Sequence, residues 1–162
     1  NMLIKRPLLV ENKIKFRPDL SIGEDLYFLL QLISLDVNFH HVGKVTYEYN
    51  NMNTSSVTSV TGLKPLLAKA DTYAAIYDFL KEENLLDLCE ESFFRKCIVG
   101  IQELLLYPEG VKRFVDMCPA KKRYIMASSL STRMKILAVL ACNKITFPVY
   151  VFAHFRGYLK NK

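Results

Sequence analysis

Apolar residues recur at helical spacing along most of the chain. Side chains three or four positions apart share one face of a helix. One such stripe contains Leu66, Leu67, Ala70, Tyr73, Ala74, Tyr77 and Leu80. Comparable patterns predict helices over residues 3–13, 24–35, 85–107, 109–117, 131–142 and 147–159, the fifth capped by Ser129 or Ser131. We therefore expect at least four helices between residues 63 and 160.

One segment has the composition of a strand. Residues 38–49 are rich in aromatic and β-branched side chains. Residues 50–61 are polar and are predicted to form a loop. The composition changes again near Gly62, which divides the chain into domains 1–61 and 62–162. The predicted fold class is mainly α, a helical bundle with one small β element.

Turn-forming residues frame the second predicted helix. Pro18 disfavours a helix before it, and Gly23 interrupts the chain directly before Glu24 and Asp25. Two acids in a first turn suit the positive end of the helix dipole. A carboxylate held there is well placed to act as a general base, because the dipole favours its ionised form. The alternative is that both acids only stabilise the start of the helix.

The order of residues around this turn resembles the second half of family 2 glycosyltransferases. That family has an apolar helix, a Phe, a turn and Gly-Glu-Asp before a hydrophobic helix; the matching residues are Arg6-Pro7-Leu8-Leu9, Asn12, Ile14, Phe16, Gly23-Glu24-Asp25 and Phe28. A strand ending in Tyr-x-Tyr and a polar loop with serines follow in the family, and here these are Tyr47-Glu48-Tyr49, Ser55 and Ser56. The resemblance covers about the first sixty residues.

The resemblance implies a role for each matched residue. Asp25 is at the position of the general base that deprotonates the acceptor hydroxyl, and Glu24 is at the position of its companion, which orients the acceptor. It also implies that the chain is the C-terminal end of an α/β fold of the GT-A type. In that fold, a Mg or Mn ion holds the diphosphate of the nucleotide-sugar donor. The implied substrate-binding residues are Tyr47, Tyr49, Ser55 and Ser56.

The chain departs from the family pattern at several points. It has no Asp-x-Asp pair, the usual metal-ligand motif; Asp36-Val37-Asn38 comes nearest, and we interpret it as a turn. Asn50 follows Tyr49 where relatives commonly carry Arg. The chain opens on Asn1 and enters helical pattern at once, without the βαβ half that binds the nucleotide. We therefore expect a fragment with no metal or other cofactor of its own, which does not transfer sugar alone.

Charge is distributed unevenly along the chain. The whole sequence has a net charge of +6. Residues 112–162 hold eleven Lys and Arg against the single acid Asp116, a net charge of +10, whereas residues 1–111 have a net charge of −4. This asymmetry indicates an anionic partner or a solvated basic face. Apolar faces accompany the basic residues of 133–160, so peripheral membrane contact is one expectation and packing with snorkelling lysines is the other.

The cysteines and histidines show no metal-site pattern. No Cys pair has Cys-x-x-Cys spacing, which leaves a zinc or redox motif unsupported and fits a reducing cytoplasm. Cys89, Cys97 and Cys142 lie in apolar helical patterns and are predicted to be small core residues. His40 and His41 are adjacent on the predicted strand, so their side chains point to opposite faces and do not bind one metal together.

These patterns lead to two functional hypotheses. The first is a bacterial glycosyltransferase fragment of surface polysaccharide biosynthesis, using a nucleotide sugar and a saccharide or lipid-linked acceptor. We expect it in the cytoplasm or peripherally on the inner membrane face. The second is a non-enzymatic helical interaction module whose basic C-terminal face binds an anionic surface. Neither a helix-turn-helix glycine signal nor aromatic–basic interleaving is present, so nucleic acid is not an expected partner.

Overall fold

A computed structural model of the chain describes residues 3–35, 37–40, 43, 62–117 and 122–160. The helices in these residues are α1 Arg6–Glu11, α2 Glu24–Ile33, α3 Leu63–Glu82, α4 Leu86–Ile101, a 3₁₀ helix Gln102–Leu106, α5 Pro108–Met117, α6 Lys122–Ala127, α7 Thr132–Cys142 and α8 Phe147–Lys160. The mainly helical fold class is confirmed, as are at least four helices after residue 63.

The predicted β element lies largely outside the described residues. Within 38–49, only residues 38–40 and 43 are described, and they belong to neither a helix nor a strand. The chain divides into two compact units, Asn1–Val60 and Thr61–Lys162. That the first unit is the end of a catalytic domain and the second a helical appendage stays a prediction.

The described part of the first unit contains two short helices, α1 and α2. α1 is shorter than the predicted 3–13, because Pro7 near its start has no N–H to bond to an earlier turn. The helix ends where Lys13 takes a left-handed conformation, with φ of 54°. Among the residues of this unit that the structure describes, the buried apolar side chains are Ile14, Leu20 and Leu32.

The second unit has a continuous core to which all its helices contribute. The 3₁₀ helix contacts α3, α4, α5, α7 and α8, and it therefore lies at the centre of the unit. Fully buried side chains come from each of these elements and from α6, among them Ala70, Ile98, Leu104, Leu105, Val111, Phe114, Ile125, Ala138 and Val149. Within the described residues, no helix has the length and apolar character that crossing a membrane requires.

The structure changes one predicted helix, adds another and confirms a predicted cap. The predicted helix 85–107 is α-helical only to Ile101 and then tightens to 3₁₀ geometry. It stops at Tyr107, which is extended because Pro108 follows it. α6 was not predicted, since its six residues are too few to show a helical period. The predicted cap is confirmed at Ser131, whose Oγ accepts a hydrogen bond from the Met134 N–H at 3.4 Å.

Gly110 determines how closely α5 approaches the 3₁₀ helix. A Cβ added to Gly110 would lie 2.4 Å from the backbone oxygen of Leu104. A Cβ added to Gly100 would lie equally close, at 2.4 Å, to the hydroxyl of Tyr73, and 2.8 and 2.9 Å from two of its ring carbons, so the conflict there is with a side chain and not with backbone. A methyl group would therefore displace the Leu104 backbone at Gly110, but only the Tyr73 side chain at Gly100.

We predict that Gly110→Ala destabilises the protein by about 1–3 kcal/mol, the usual cost of overpacking. Without the steric conflict, Ala in a helix would stabilise by about 0.5–1 kcal/mol, so the sign of the change is diagnostic. Urea unfolding measures it, with Gly100→Ala as the matched variant of smaller expected cost. Equal costs for the two variants would contradict the role of the Leu104 backbone.

Candidate catalytic turn before α2

Gly23 makes the turn that precedes α2. It has φ of 77° and ψ of 19°, a left-handed conformation that strains residues with a Cβ. Its carbonyl oxygen accepts a hydrogen bond from the Tyr27 N–H at 3.1 Å, so the helix ladder starts at this glycine. Glu24 and Asp25 are consequently the first two residues of α2. The Gly-Glu-Asp order thus has a geometric basis: the turn comes first and the carboxylates open the helix.

The Asp25 carboxylate is accessible from solvent. Asp25 is exposed, and its Oδ1 accepts a hydrogen bond from the Leu26 N–H at 2.7 Å. Glu24 is half-buried. Neither acid forms a salt bridge with any of the described residues. Since an ionised carboxylate accepts about four hydrogen bonds, Asp25 retains capacity for a substrate hydroxyl.

The segment before the turn packs onto α2 through three contacts. The ring of Phe16 stacks on that of Phe28, with centroids 4.3 Å apart and planes 7° from parallel. The Arg17 guanidinium carbon lies 5.3 Å from the centroid of the Tyr27 ring. Gln31 donates a hydrogen bond from Nε2 to the backbone oxygen of Lys15 at 3.1 Å. Residues on both sides of Gly23 are therefore held together, which restrains the turn that carries Asp25.

Arg17 and Asp19 form an ion pair beside this packing. The Arg17 Nε and Nη2 atoms donate to the two carboxylate oxygens of Asp19, at 3.1 and 2.5 Å. Hydrogen bonds with Asp19 and then Tyr27 raise the pKa of Arg17, and the bond from Arg17 lowers the pKa of Asp19. Neither residue was among the predicted site residues. The sequence signal for this ion pair was Arg-Pro-Asp spacing, which in a turn brings the two side chains to one side.

The other predicted site residues lie outside the described part of the chain. These are the implied substrate-binding residues Tyr47, Tyr49, Ser55 and Ser56. Asp36 and His41, to which no site was assigned, also lie outside it. His40 is described and is exposed. Within the described residues, no group of three His, Cys, Asp or Glu side chains could hold a metal ion. The structure therefore places Glu24 and Asp25 at the start of the helix against which Phe16 and Arg17 pack, and leaves the remaining assignments as predictions.

The three cysteines that the structure describes have the environments of packing residues. Cys97 is fully buried, which confirms its predicted place in the core, while Cys89 and Cys142 are half-buried. Burial raises the pKa of the Cys142 thiol to about 11. The Cys89 Sγ donates to the Leu85 carbonyl oxygen at 3.4 Å, and burial raises the pKa of that thiol as well. Both thiols are protonated at neutral pH and are poor nucleophiles in this state.

The second unit has a groove on the side of α4. It has a volume of about 490 Å³ and is lined by Tyr73, Ser92, Arg95, Lys96, Val99, Gly100 and Ser129. None of these is a residue that the sequence analysis assigned to a site. Arg95 lies 3.6 Å from the Glu91 carboxylate on the same helix, an exposed pair of small energetic weight.

No protein-family model matches the chain, and neither a search of curated proteins nor a search of solved structures found a match. The resemblance to family 2 glycosyltransferases therefore depends only on the matched residues of the first sixty positions. Several of those residues, namely Phe16, Gly23, Glu24, Asp25 and Phe28, form the turn and the helix start described above.

We predict that Phe16→Ala loosens the turn. The aromatic stack contributes about 0.5–1.5 kcal/mol beyond area burial, so local opening should become roughly two- to tenfold more frequent. Hydrogen exchange of the amides in residues 15–28 measures this. Val10→Ala is the control, since Val10 is an exposed apolar residue of the same unit, at 65% exposure. Unchanged exchange in Phe16→Ala would show that the stack does not restrain the turn.

Proposed function

We propose that this chain is part of a family 2 glycosyltransferase, in which Asp25 accepts the proton of the acceptor hydroxyl. The observation that supports the proposal is an exposed carboxylate at the start of α2, on a left-handed glycine turn restrained by the Phe16–Phe28 stack. A general base needs a fixed position and an accepting oxygen that a substrate reaches. Simple stabilisation of a helix start would require neither the stack nor the exposure.

In the proposed reaction one proton is transferred, and the anomeric carbon exchanges its bond to the diphosphate oxygen for a bond to the acceptor oxygen. The acceptor oxygen attacks the anomeric carbon of the donor sugar, and the bond from that carbon to the diphosphate oxygen breaks. Asp25 takes the hydroxyl proton, which prevents positive charge from accumulating on the attacking oxygen. The products are the glycosylated acceptor and a nucleoside diphosphate. For in-line attack, Asp25 lies on the side of the sugar opposite the leaving group.

Glu24 has a separate role in this proposal. It is half-buried, whereas Asp25 is exposed, so its carboxylate has less freedom and suits orientation of the acceptor by hydrogen bonding. The resemblance assigns further substrate contacts to Tyr47, Tyr49, Ser55 and Ser56. The described residues do not supply a ligand set for the Mg or Mn ion that the resemblance implies, so no step is assigned to a metal.

The setting of the proposed reaction follows from its donor. Nucleotide sugars are cytoplasmic metabolites of bacteria, and we propose that the protein acts in the cytoplasm or at the inner face of the membrane. Its proposed acceptor is a saccharide or a lipid-linked saccharide, as in the assembly of surface polysaccharides.

In the enzyme as its gene encodes it, we predict that Asp25→Asn lowers turnover by about 10²- to 10⁴-fold, the usual contribution of a general base. Asn keeps the size of the side chain but does not accept a proton at neutral pH. Glu24→Gln should lower turnover less, because its proposed role is orientation. Nucleoside diphosphate release from a panel of nucleotide sugars, together with the melting temperature of each variant, provides the measurement.

Asp87→Asn is the matched control for that substitution. Asp87 is the exposed second residue of α4, as Asp25 is of α2, so both variants remove one charge from the first turn of a helix. Both should change stability by less than about 1 kcal/mol. If Asp25→Asn keeps more than about a tenth of wild-type turnover, Asp25 only stabilises the helix start.

We also predict that the 162-residue chain by itself does not bind a nucleotide sugar. It has no Asp-x-Asp motif with which to hold a metal–diphosphate group. Titration calorimetry with UDP- and GDP-sugars in the presence of Mn²⁺ should show heats of dilution only. Micromolar binding would contradict the proposal that the donor site lies outside this chain.

A further inference from the structure

α8 has two apolar faces, and only one of them is buried. Val149 and Ala153 are 0% and 1% exposed and anchor the helix in the core of the second unit. Phe147, Val151 and Phe155 are 78%, 39% and 68% exposed. These three residues follow one another at intervals of four, so they share one face of the helix. We refer to Phe147, Val151 and Phe155 as the α8 stripe.

The α8 stripe continues into the turn before the helix. Lys144 has φ of 61° and turns the chain between α7 and α8. Ile145, the next residue, is 52% exposed. Two large apolar side chains, Ile145 and Phe147, therefore stand exposed at the start of α8, directly after an exposed lysine. Exposed apolar patches mark interaction sites in many proteins.

The chain segment that contains the stripe has only basic charged residues, whereas the elements that contact α8 include acids, Glu103 on the 3₁₀ helix and Glu109 and Asp116 on α5. Residues 117–162 hold nine Lys and Arg and no Asp or Glu. Arg133 on α7 lies with its guanidinium carbon 4.1 Å from the ring centroid of Phe152, which neighbours the stripe residue Val151. Cations are thus present at the turn, through Lys144, and beside the middle of the helix, through Arg133. An occupant of this surface should carry negative charge.

The combination favours a lipid surface over a protein partner. The centres of protein interfaces are depleted in charged residues, and lysine is depleted across them. Helices that lie in the plane of a membrane interface combine a face of Phe and Leu-like side chains with flanking Lys and Arg. The aromatic rings enter the boundary between headgroups and acyl chains, while the cations remain among anionic headgroups.

We propose that the α8 stripe and Ile145 dock on an anionic lipid surface. Apolar burial supplies one part of the binding, and attraction between the basic C-terminal residues and the headgroups supplies the other. The inference is independent of sugar transfer, because it concerns only the second unit and its surface. It assigns a function to the basic C-terminal third that the packing of α7 and α8 leaves unexplained.

The first test is sedimentation with vesicles of phosphatidylcholine, either alone or with about 30% phosphatidylglycerol. We expect at least about tenfold stronger partitioning to the anionic vesicles. The double variant Phe147→Ser, Phe155→Ser should lose about tenfold or more of that partitioning. Leu88→Ser is the matched control, since Leu88 on α4 is 83% exposed and should not contribute. Because these side chains are exposed, all variants should melt near the wild-type temperature.

A second measurement uses the absence of tryptophan from the chain. Phe147→Trp introduces a single fluorophore into the stripe, and its emission should shift to the blue on adding anionic vesicles. Leu88→Trp should show no shift. The proposal is overturned by equal binding to neutral vesicles, by full binding of the double variant, or by an unshifted Phe147→Trp emission. Self-association that the double variant abolishes, without vesicle binding, would instead assign the stripe to a second copy of the chain.

Discussion

The contact between Gly110 and the backbone of Leu104 sets the packing of the second unit. Because Gly110 has no side chain, α5 lies directly against the 3₁₀ helix, and Leu104, Leu105, Val111 and Phe114 are all completely buried around that contact. The 3₁₀ helix in turn contacts α3, α4, α7 and α8, so its position determines theirs. Close-packed interiors transmit such a constraint, since side chains have little free volume in which to adjust.

The first unit depends on local contacts to a greater extent. Its buried apolar side chains among the described residues are few, and its turn is held by a ring stack, a cation over a ring and a side-chain hydrogen bond. Contacts of this kind restrain a short segment without requiring a large core. They suit a catalytic turn, where a carboxylate must be fixed in position and still be reached by a substrate.

The proposed catalytic turn at α2 and the proposed lipid-binding stripe on α8 depend on different kinds of interaction. At α2 the proposed chemistry uses an accepting oxygen at a helix start, and it needs a precise position. At α8 the proposed interaction uses apolar area and net charge, and it tolerates variation in the exact arrangement of side chains. The membrane proposal would bring a glycosyltransferase near lipid-linked acceptors, although neither proposal requires the other.

The sequence by itself determined the features that depend on neighbours along the chain. Helical periods, the stop at Pro108, the glycine turn before Glu24 and Asp25, and the Ser131 cap follow from backbone sterics and local hydrogen bonding. Tertiary structure decided the change to 3₁₀ geometry after Ile101 and the packing of Arg17 on Tyr27. It also decided which face of α8 is buried. Two sets of apolar residues on α8 have helical spacing: Val149 with Ala153, and Phe147 with Val151 and Phe155. Their spacing alone does not indicate which set is buried. The packing of the core selects one face: Val149 and Ala153 are buried in it, and the larger set with Phe147 and Phe155 is left exposed.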